Sequence, residues 1–279
     1  MFITFEGIDG SGKSEQAKRC VEYLSNKFDV LHCFDPGHTV IGNAVRSVLL
    51  NKKHMEMDAT TELLLYAAAR SQLVAEVIEP HLNKGGVVVS DRFYDSTSAY
   101  QGYGRNLPFD LVNTLNMIGA HDRVPDLCFI IDTDIDVCAQ RIGKADRMEG
   151  EGREFWIRVR DGYRTLAEKE PNRCILINGN RSILEIHEDV VKTIEELKQS
   201  GCIIFECLSG SKAYGLDTSE SDTDIRGVFT LPKAHYFSLE YIDQINNNCP
   251  TIPLYSTTFE ITFCQLSALS NTSITLLTV

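Results

Sequence analysis

Phe2-Ile3-Thr4-Phe5-Glu6-Gly7-Ile8-Asp9-Gly10-Ser11-Gly12-Lys13-Ser14 decides how the chain reads. Residues 2–5 are a buried-strand run, and Gly7 to Ser14 fits G-x-x-x-x-G-K-[ST] directly after it. A helix follows through about Lys27. Strand, glycine-rich turn and helix in this order make a phosphate cradle. The glycines let backbone N–H groups turn inward around an anion, and the helix presents its positive N-terminus. Lys13 is spaced to reach the β- and γ-phosphates of a nucleoside triphosphate, and Ser14 to ligate Mg²⁺.

Outward from this cradle, short apolar runs alternate with amphipathic segments. Val30–Phe34, 87–89, 127–131 and 174–177 read as strands; 40–50, 60–82, 135–142, 154–168 and 183–198 read as helices. Val87-Val88-Val89 contains nothing polar, as a central parallel strand should. The 60–82 helix is stopped past Pro80 by Asn83-Lys84-Gly85-Gly86. Alternation of this kind predicts an α/β fold, a doubly wound parallel sheet covered on both faces.

The plan changes after Gln199-Ser200-Gly201. A strand at 202–207, a Ser209-Gly210-Ser211 turn and a strand near 225–230 predict a second, small and incomplete α+β segment. The expected division is 1–200 and 201–279. From Asn246 to Val279 there is no Lys or Arg and one acid, Glu260, an ending of the kind a truncated or frame-shifted coding sequence produces.

Composition narrows the class. A 279-residue chain with 43% hydrophobic, 24% charged and 9% aromatic residues is not a disordered one. A net charge of -12 argues against a duplex-nucleic-acid binder, which needs a surplus of Lys and Arg, but leaves room for a small basic pocket. No apolar run approaches the ~20 residues of a membrane span, and the N-terminus lacks a signal peptide's basic region. Nine scattered cysteines without a Cys-x-x-Cys pair point to free thiols in a reducing cytoplasm. The seven histidines show no metal-ligand spacing.

Val87 to Arg92 puts an acid and an arginine at the C-terminal edge of a central strand, where open α/β sheets bind ligands. Asp91 is placed to hold Mg²⁺ through water and Arg92 to hold an acceptor phosphate; a surface ion pair is the alternative.

Four separated stretches resemble the thymidylate (dTMP) kinase family, in the family's order, over roughly 1–200. They are Phe5 to Gln16, Tyr66-Ala67-Ala68-Ala69-Arg70, Asp91-Arg92-Phe93-Tyr94-Asp95-Ser96-Thr97-Ser98-Ala99-Tyr100-Gln101-Gly102, and Asp146-Arg147-Met148-Glu149. The resemblance implies a P-loop NTPase-type fold, Mg²⁺, and phosphoryl transfer from ATP to dTMP, giving dTDP and ADP. It also implies a homodimer.

Residue by residue, the resemblance implies that Gly7, Ile8, Asp9, Gly10, Ser11, Gly12, Lys13 and Ser14 bind ATP, with Asp9 also near the acceptor. Arg46, Arg70 and Arg92 would form the cationic cup for the dTMP phosphate. Tyr66 would stack on or pack against thymine, while Ser96, Thr97 and Gln101 would line base and sugar, with Gln101 a candidate hydrogen-bond partner for the base. Some family members carry an arginine inside the phosphate loop, at the position of Gly10 here. The resemblance therefore gives Arg147 and Arg153 the task of closing over ATP; Arg141, Arg158, Arg160 and Arg164 read as solvated face.

One loop departs from the family. Phe34-Asp35-Pro36-Gly37-His38-Thr39 stands where bacterial members usually read Arg-Glu-Pro-Gly-Gly-Thr, so the acceptor is less firmly implied than ATP. A kinase for another nucleoside monophosphate, and a nucleotide-binding module without turnover, are the alternative readings.

Gly210-Ser211, ten residues, then Asp222-Thr223-Asp224 resembles the nucleotidyltransferase superfamily. Carboxylates at i and i+2 of a strand share one face and suit Mg²⁺. Such sites add a third acid from a later strand, and after Asp243 only Glu260 remains. Asp222 and Asp224 therefore read as a vestigial metal pair without transferase activity.

Overall fold

A computed structural model of the chain describes residues 1–141, 147–148 and 150–199, and the backbone of short strands at 205–209, 224–228, 244–245 and 249–250. Five strands, β1 (Phe2–Glu6), β2 (Val30–Phe34), β3 (Val87–Asp91), β4 (Leu127–Asp132) and β5 (Cys174–Asn178), form one parallel sheet in the order β2-β3-β1-β4-β5. All five fall where the apolar runs place them. Every residue of β1 is buried, as are all but the last of β3 and β4, so these strands are covered on both faces.

The helices are α1 (Lys13–Ser25), α2 (Val40–Leu49), α3 (Ala59–Leu73), α4 (Glu79–Leu82), α5 (Tyr94–Thr97), α6 (Phe109–Ala120), α7 (Ile135–Arg141), α8 (Arg153–Lys169) and α9 (Ile183–Gln199). Thr39 caps α2 by accepting from Gly42 N at 2.9 Å, and Asp58 caps α3 by accepting from Thr60 N at 2.9 Å. Along α8 the buried residues Phe155, Trp156, Val159, Gly162, Tyr163, Leu166 and Ala167 recur at the spacing of one helix face. In the core Phe5 stacks on Phe129 at 5.2 Å and Phe2 meets Phe93 edge-on at 4.9 Å. Each such ring is worth ~1.5–3 kcal/mol in burial.

Two local features differ from the sequence expectation. The 60–82 helix is not uniform: a wider π turn, Val74–Ile78, separates α3 from α4. Pro80 has no N–H, and its ring would crowd the Glu76 carbonyl in an unbroken α-helix, so the turn before it opens. Helix α6 was not foreseen, because its buried face is Val112, Asn116, Gly119 and Ala120, a weakly apolar stripe. After α5 the chain continues as a second π segment, Ser98–Gly104, with Arg105 N donating to Tyr100 O at 2.9 Å.

The chain divides into two compact units, Met1–Val191 and Lys192–Val279. In the second, β6 (Phe205–Ser209) pairs antiparallel with β7 (Asp224–Val228), and β8 (Gln244–Ile245) with β9 (Cys249–Pro250). Gly210, Ser211 and Asp222 lie outside the described residues, and Asp224 opens β7. Among the described residues no helix is long and apolar enough to cross a membrane.

Candidate active site

Central β1 pairs with β3 on one side and β4 on the other, so the loop leaving it emerges where the strand order reverses. Phe5 pairs with Asp91, and Arg92 N donates to Phe5 O at 2.9 Å, which sets Arg92 against the phosphate loop. Arg92 has a left-handed backbone, φ 71°, an uncommon conformation for a side chain of this size. Its guanidinium is held from several sides. Nη2 donates to Asp9 Oδ1 at 2.6 Å and Tyr100 Oη at 3.0 Å; Nη1 donates to Gly7 O and Ser96 Oγ, both at 2.9 Å, and to Tyr163 Oη at 3.2 Å.

Lys13 Nζ also donates to Asp9 Oδ1, at 3.4 Å. Burial would raise the Asp9 carboxyl, but Arg92 and Lys13 together hold it well below the usual carboxylate range. Asp9 is thus an ionised link between Lys13 and Arg92.

Two adjoining clefts share Asp9, Asp35, Arg46 and Arg92. The first holds Lys13, Ser14 and Asp91. Asp91 Oδ1 is buried without a hydrogen-bond partner, so it keeps lone pairs for a cation or its water shell. Ser14 and Asp91 therefore fit Mg²⁺ chemically. The second cleft brings together Arg46, Tyr66, Arg70, Arg92, Ser96, Thr97 and Gln101, the whole expected acceptor set.

Within it Arg70 is fully buried. Nε donates to Asp35 Oδ2 at 2.6 Å, Nη2 to Thr97 Oγ1 at 2.6 Å and Nη1 to Asn116 Oδ1 at 3.2 Å. Asp35 is thus paired with Arg70, although its loop departs from the family. Burial pushes its carboxyl up against the opposing pull of Arg70. Arg46 Nη1 donates to Pro36 O at 2.7 Å and lies over the Phe34 ring at 5.5 Å. His38 sits edge-on to Phe34 with φ 69°, in the conformation that suits the family's glycine.

Three expectations meet a different geometry. Arg147 is not joined to the phosphate loop by any contact among the described residues. It is buried, with Nε donating to Leu49 O and Nη2 to Glu62 Oε2, both at 2.6 Å, because the wholly buried Glu62 needs cationic partners. Arg153 is 61% exposed at the start of α8 and pairs with Asp136. Gly10, φ 80°, leaves no room for the family's arginine: an added Cβ would lie 2.5 Å from the Cys138 carbonyl oxygen. Asp146 and Glu149, from the same stretch as Arg147, lie outside the described residues.

Sequence reasoning also passed over several residues. Arg141, read as solvated face, donates from Nη1 to Gly10 O at 3.2 Å and so meets the phosphate loop. Glu6 accepts from Phe93 N at 2.7 Å, Ser96 Oγ at 2.5 Å and Tyr163 Oη at 3.0 Å; burial pushes its carboxyl up to about 7. Glu62 stands four and eight residues before Tyr66 and Arg70, on the same face of α3, a spacing that pointed to it. Asp95, Cys128 and Cys174 come within 4.8 Å of one another, but Arg173 takes both Asp95 oxygens at 2.8 Å. Burial pushes the Cys128 thiol far up, so this cluster is a poor metal site.

Fold and site together define a nucleoside-triphosphate-binding α/β protein whose phosphate loop faces a second, cation-lined cleft. The thymidylate kinase family model matches residues 5–190, and the chain belongs to that family. Thymidylate kinase from Kosmotoga olearia is 45% identical over 196 residues, 69% of this chain and 94% of the relative. That from Caldanaerobacter subterraneus is 45% identical over 198 residues, 70% and 95%. The crystal structure of thymidylate kinase from Ehrlichia chaffeensis is similar with a TM-score of 0.59 at 38% identity, covering 70% of this chain and 98% of that one. A second family model, the RNA repair pathway DNA polymerase beta family, matches residues 185–262, in line with the nucleotidyltransferase-like reading.

Proposed function

We propose that this chain transfers the γ-phosphoryl group of ATP to dTMP, giving dTDP and ADP. The observation that carries the reading is the wall common to the two clefts, made of Asp9, Asp35, Arg46 and Arg92. A donor phosphate over Lys13 and an acceptor phosphate in the Arg46–Arg70–Arg92 cup would meet there. Phosphoryl transfer needs alignment and charge neutralisation more than covalent help. Lys13 and Arg92 supply fixed cations, and Asp9 keeps both aimed. Mg²⁺ between Ser14 and Asp91 would neutralise the donor phosphates when bound.

Tyr66 offers the base an aromatic face, and Ser96, Thr97 and Gln101 offer it polar contacts. Arg141 is the cation of α7 at the phosphate loop, and Arg147 serves the acceptor cleft through Glu62. Arg153 remains an exposed candidate for donor-side closure.

Kinase chemistry belongs to residues 1–200. Residues 201–279 form a separate segment that does not transfer nucleotides, and Asp222 and Asp224 are a relic pair. A homodimer is part of this reading. It is supported by exposed Val40 and Ile41 on α2, Leu64 on α3 and Ile118 on α6, three helices that pack in succession. A cytoplasmic setting is supported by the five cysteines among the described residues of the first unit, all free and buried.

ATP turnover with a panel of nucleoside monophosphates tests the function. Preference for dTMP is expected. Preference for another acceptor would change the substrate, and binding without product would leave a nucleotide-binding module.

A further inference from the structure

Gln101 lines the acceptor cleft and is itself buried. Its Nε2 donates to Glu62 Oε1 at 2.7 Å. The same carboxylate receives Arg105 Nε at 3.2 Å on Oε1, Arg105 Nη2 at 3.1 Å on Oε2, and Arg147 Nη2 at 2.6 Å on Oε2. Glu62 has no exposed surface. Burial would raise its carboxyl, yet Arg105, Gln101 and Arg147 bring it below its ordinary value, so it stays ionised at neutral pH.

An ionised carboxylate only accepts hydrogen bonds. The amide of Gln101 can therefore face Glu62 only with its NH₂ end, and the carbonyl is left for the other side. Among the described residues nothing donates to Gln101 Oε1.

We propose that Glu62 is a positioning residue that locks the Gln101 amide with its carbonyl oxygen toward the acceptor cleft, so that the site selects a pyrimidine whose ring edge donates an N–H there. This deepens the thymidylate reading and rests on it. Thymine and uracil carry a hydrogen on the ring nitrogen between their carbonyls. Cytosine has a lone pair at that nitrogen, which would meet the Gln101 oxygen acceptor to acceptor. A buried pair left unmatched in this way discriminates strongly, while isosteric apolar contacts do not.

The matching probes are dTMP and 5-methyl-dCMP, which share one shape and differ only in the donors and acceptors of the base edge. The full chain should use 5-methyl-dCMP with kcat/KM at least ~100-fold below dTMP. In Glu62→Gln, Arg105 and Arg147 will claim the new amide oxygen. Its NH₂ then turns to Gln101, which flips. The dTMP to 5-methyl-dCMP ratio should fall at least ~10-fold, by loss on dTMP and gain on 5-methyl-dCMP. A general structural defect would lower both substrates together and leave the ratio unchanged; that result overturns the proposal.

Should Glu62→Gln fail to fold, Glu62→Asp keeps the charge for both arginines but withdraws it from Gln101, and the ratio should fall again. Gln101→Met removes the reading group altogether, and an unchanged ratio there also overturns the proposal. Failure of the thymidylate reading is distinct: the unaltered chain would then prefer neither dTMP nor dUMP in the acceptor panel.

Discussion

Arg92 Nη2 reaches Asp9 Oδ1 at 2.6 Å, while Lys13 Nζ reaches the same oxygen at 3.4 Å. One carboxylate oxygen thus ties the cation at the end of β3 to the cation of the phosphate loop, with Arg92 the closer partner. Asp9 has the nearer guanidinium to keep it charged if the lysine is removed.

Lys13→Ala should accordingly fold with near-normal thermal stability and lose at least ~10²-fold in kcat, because the developing charge on the transferred phosphoryl loses its preorganised cation. Circular dichroism and steady-state kinetics check both halves. Near-normal turnover by the folded variant would remove the loop from the mechanism.

Gly10→Ala should raise the KM for ATP at least ~10-fold and lower stability by ~1–3 kcal/mol. Its Cβ would press on the Cys138 backbone carbonyl at 2.5 Å, and φ 80° is a strained conformation for alanine. Gly10→Arg should be worse, not better: an arginine there adds charge only by displacing α7. Full activity in either variant would show that the loop opens freely.

Glu6 gives stability a pH slope of defined sign. Its folded carboxyl titrates at about 7 against an ordinary 4.5, because it is buried. Between those values the folded chain holds a proton that the unfolded chain releases. Stability therefore falls as pH rises through this window, by up to ~3 kcal/mol from this group. Glu6→Gln should flatten that slope in denaturant unfolding measured from pH 4.5 to 8. An equal slope in both proteins would assign the effect elsewhere.

A chain ending near Ser200 should retain kinase activity, since the relatives are covered to 94 and 95% by alignments spanning 69 and 70% of this chain. Asp222→Asn with Asp224→Asn in the full chain should leave kcat/KM for dTMP within about twofold, because the proposed kinase chemistry gives neither carboxylate a part. Loss of activity on truncation would mean that the later segment supports the kinase unit.

The five strands and the phosphate loop were legible because both are local signals: apolar runs with turn residues at their ends, and a fixed glycine spacing. The acceptor cleft was legible only through family resemblance, since Arg46, Arg70 and Gln101 come from three separate elements. Arg147 and Arg141 show the limit. Both are arginines from one stretch of chain, and no periodicity tells that one turns to Glu62 and the other to Gly10. Glu6 was equally silent, because its partners Ser96 and Tyr163 are 90 and 157 residues away. Helix α6 was missed for a local reason: its packed face carries Asn116 and Gly119 where a pattern search expects aliphatic side chains.

The wide turn that follows α5 makes residue count matter as much as residue identity. Ordinary helix advances 3.6 residues per turn, and the stretch from Ser98 to Gly104 spends more. Deleting one residue there would let the backbone relax into a regular and more stable coil. With Ser98 or Ala99 gone, the side chains inside the turn would move by about 100° round the axis, carrying Gln101 away from Glu62 and Tyr100 away from Asp9. The cleft is tuned by an irregularity that stability alone would erase, and its uneven pitch is what holds Gln101 against Glu62 and Tyr100 against Asp9.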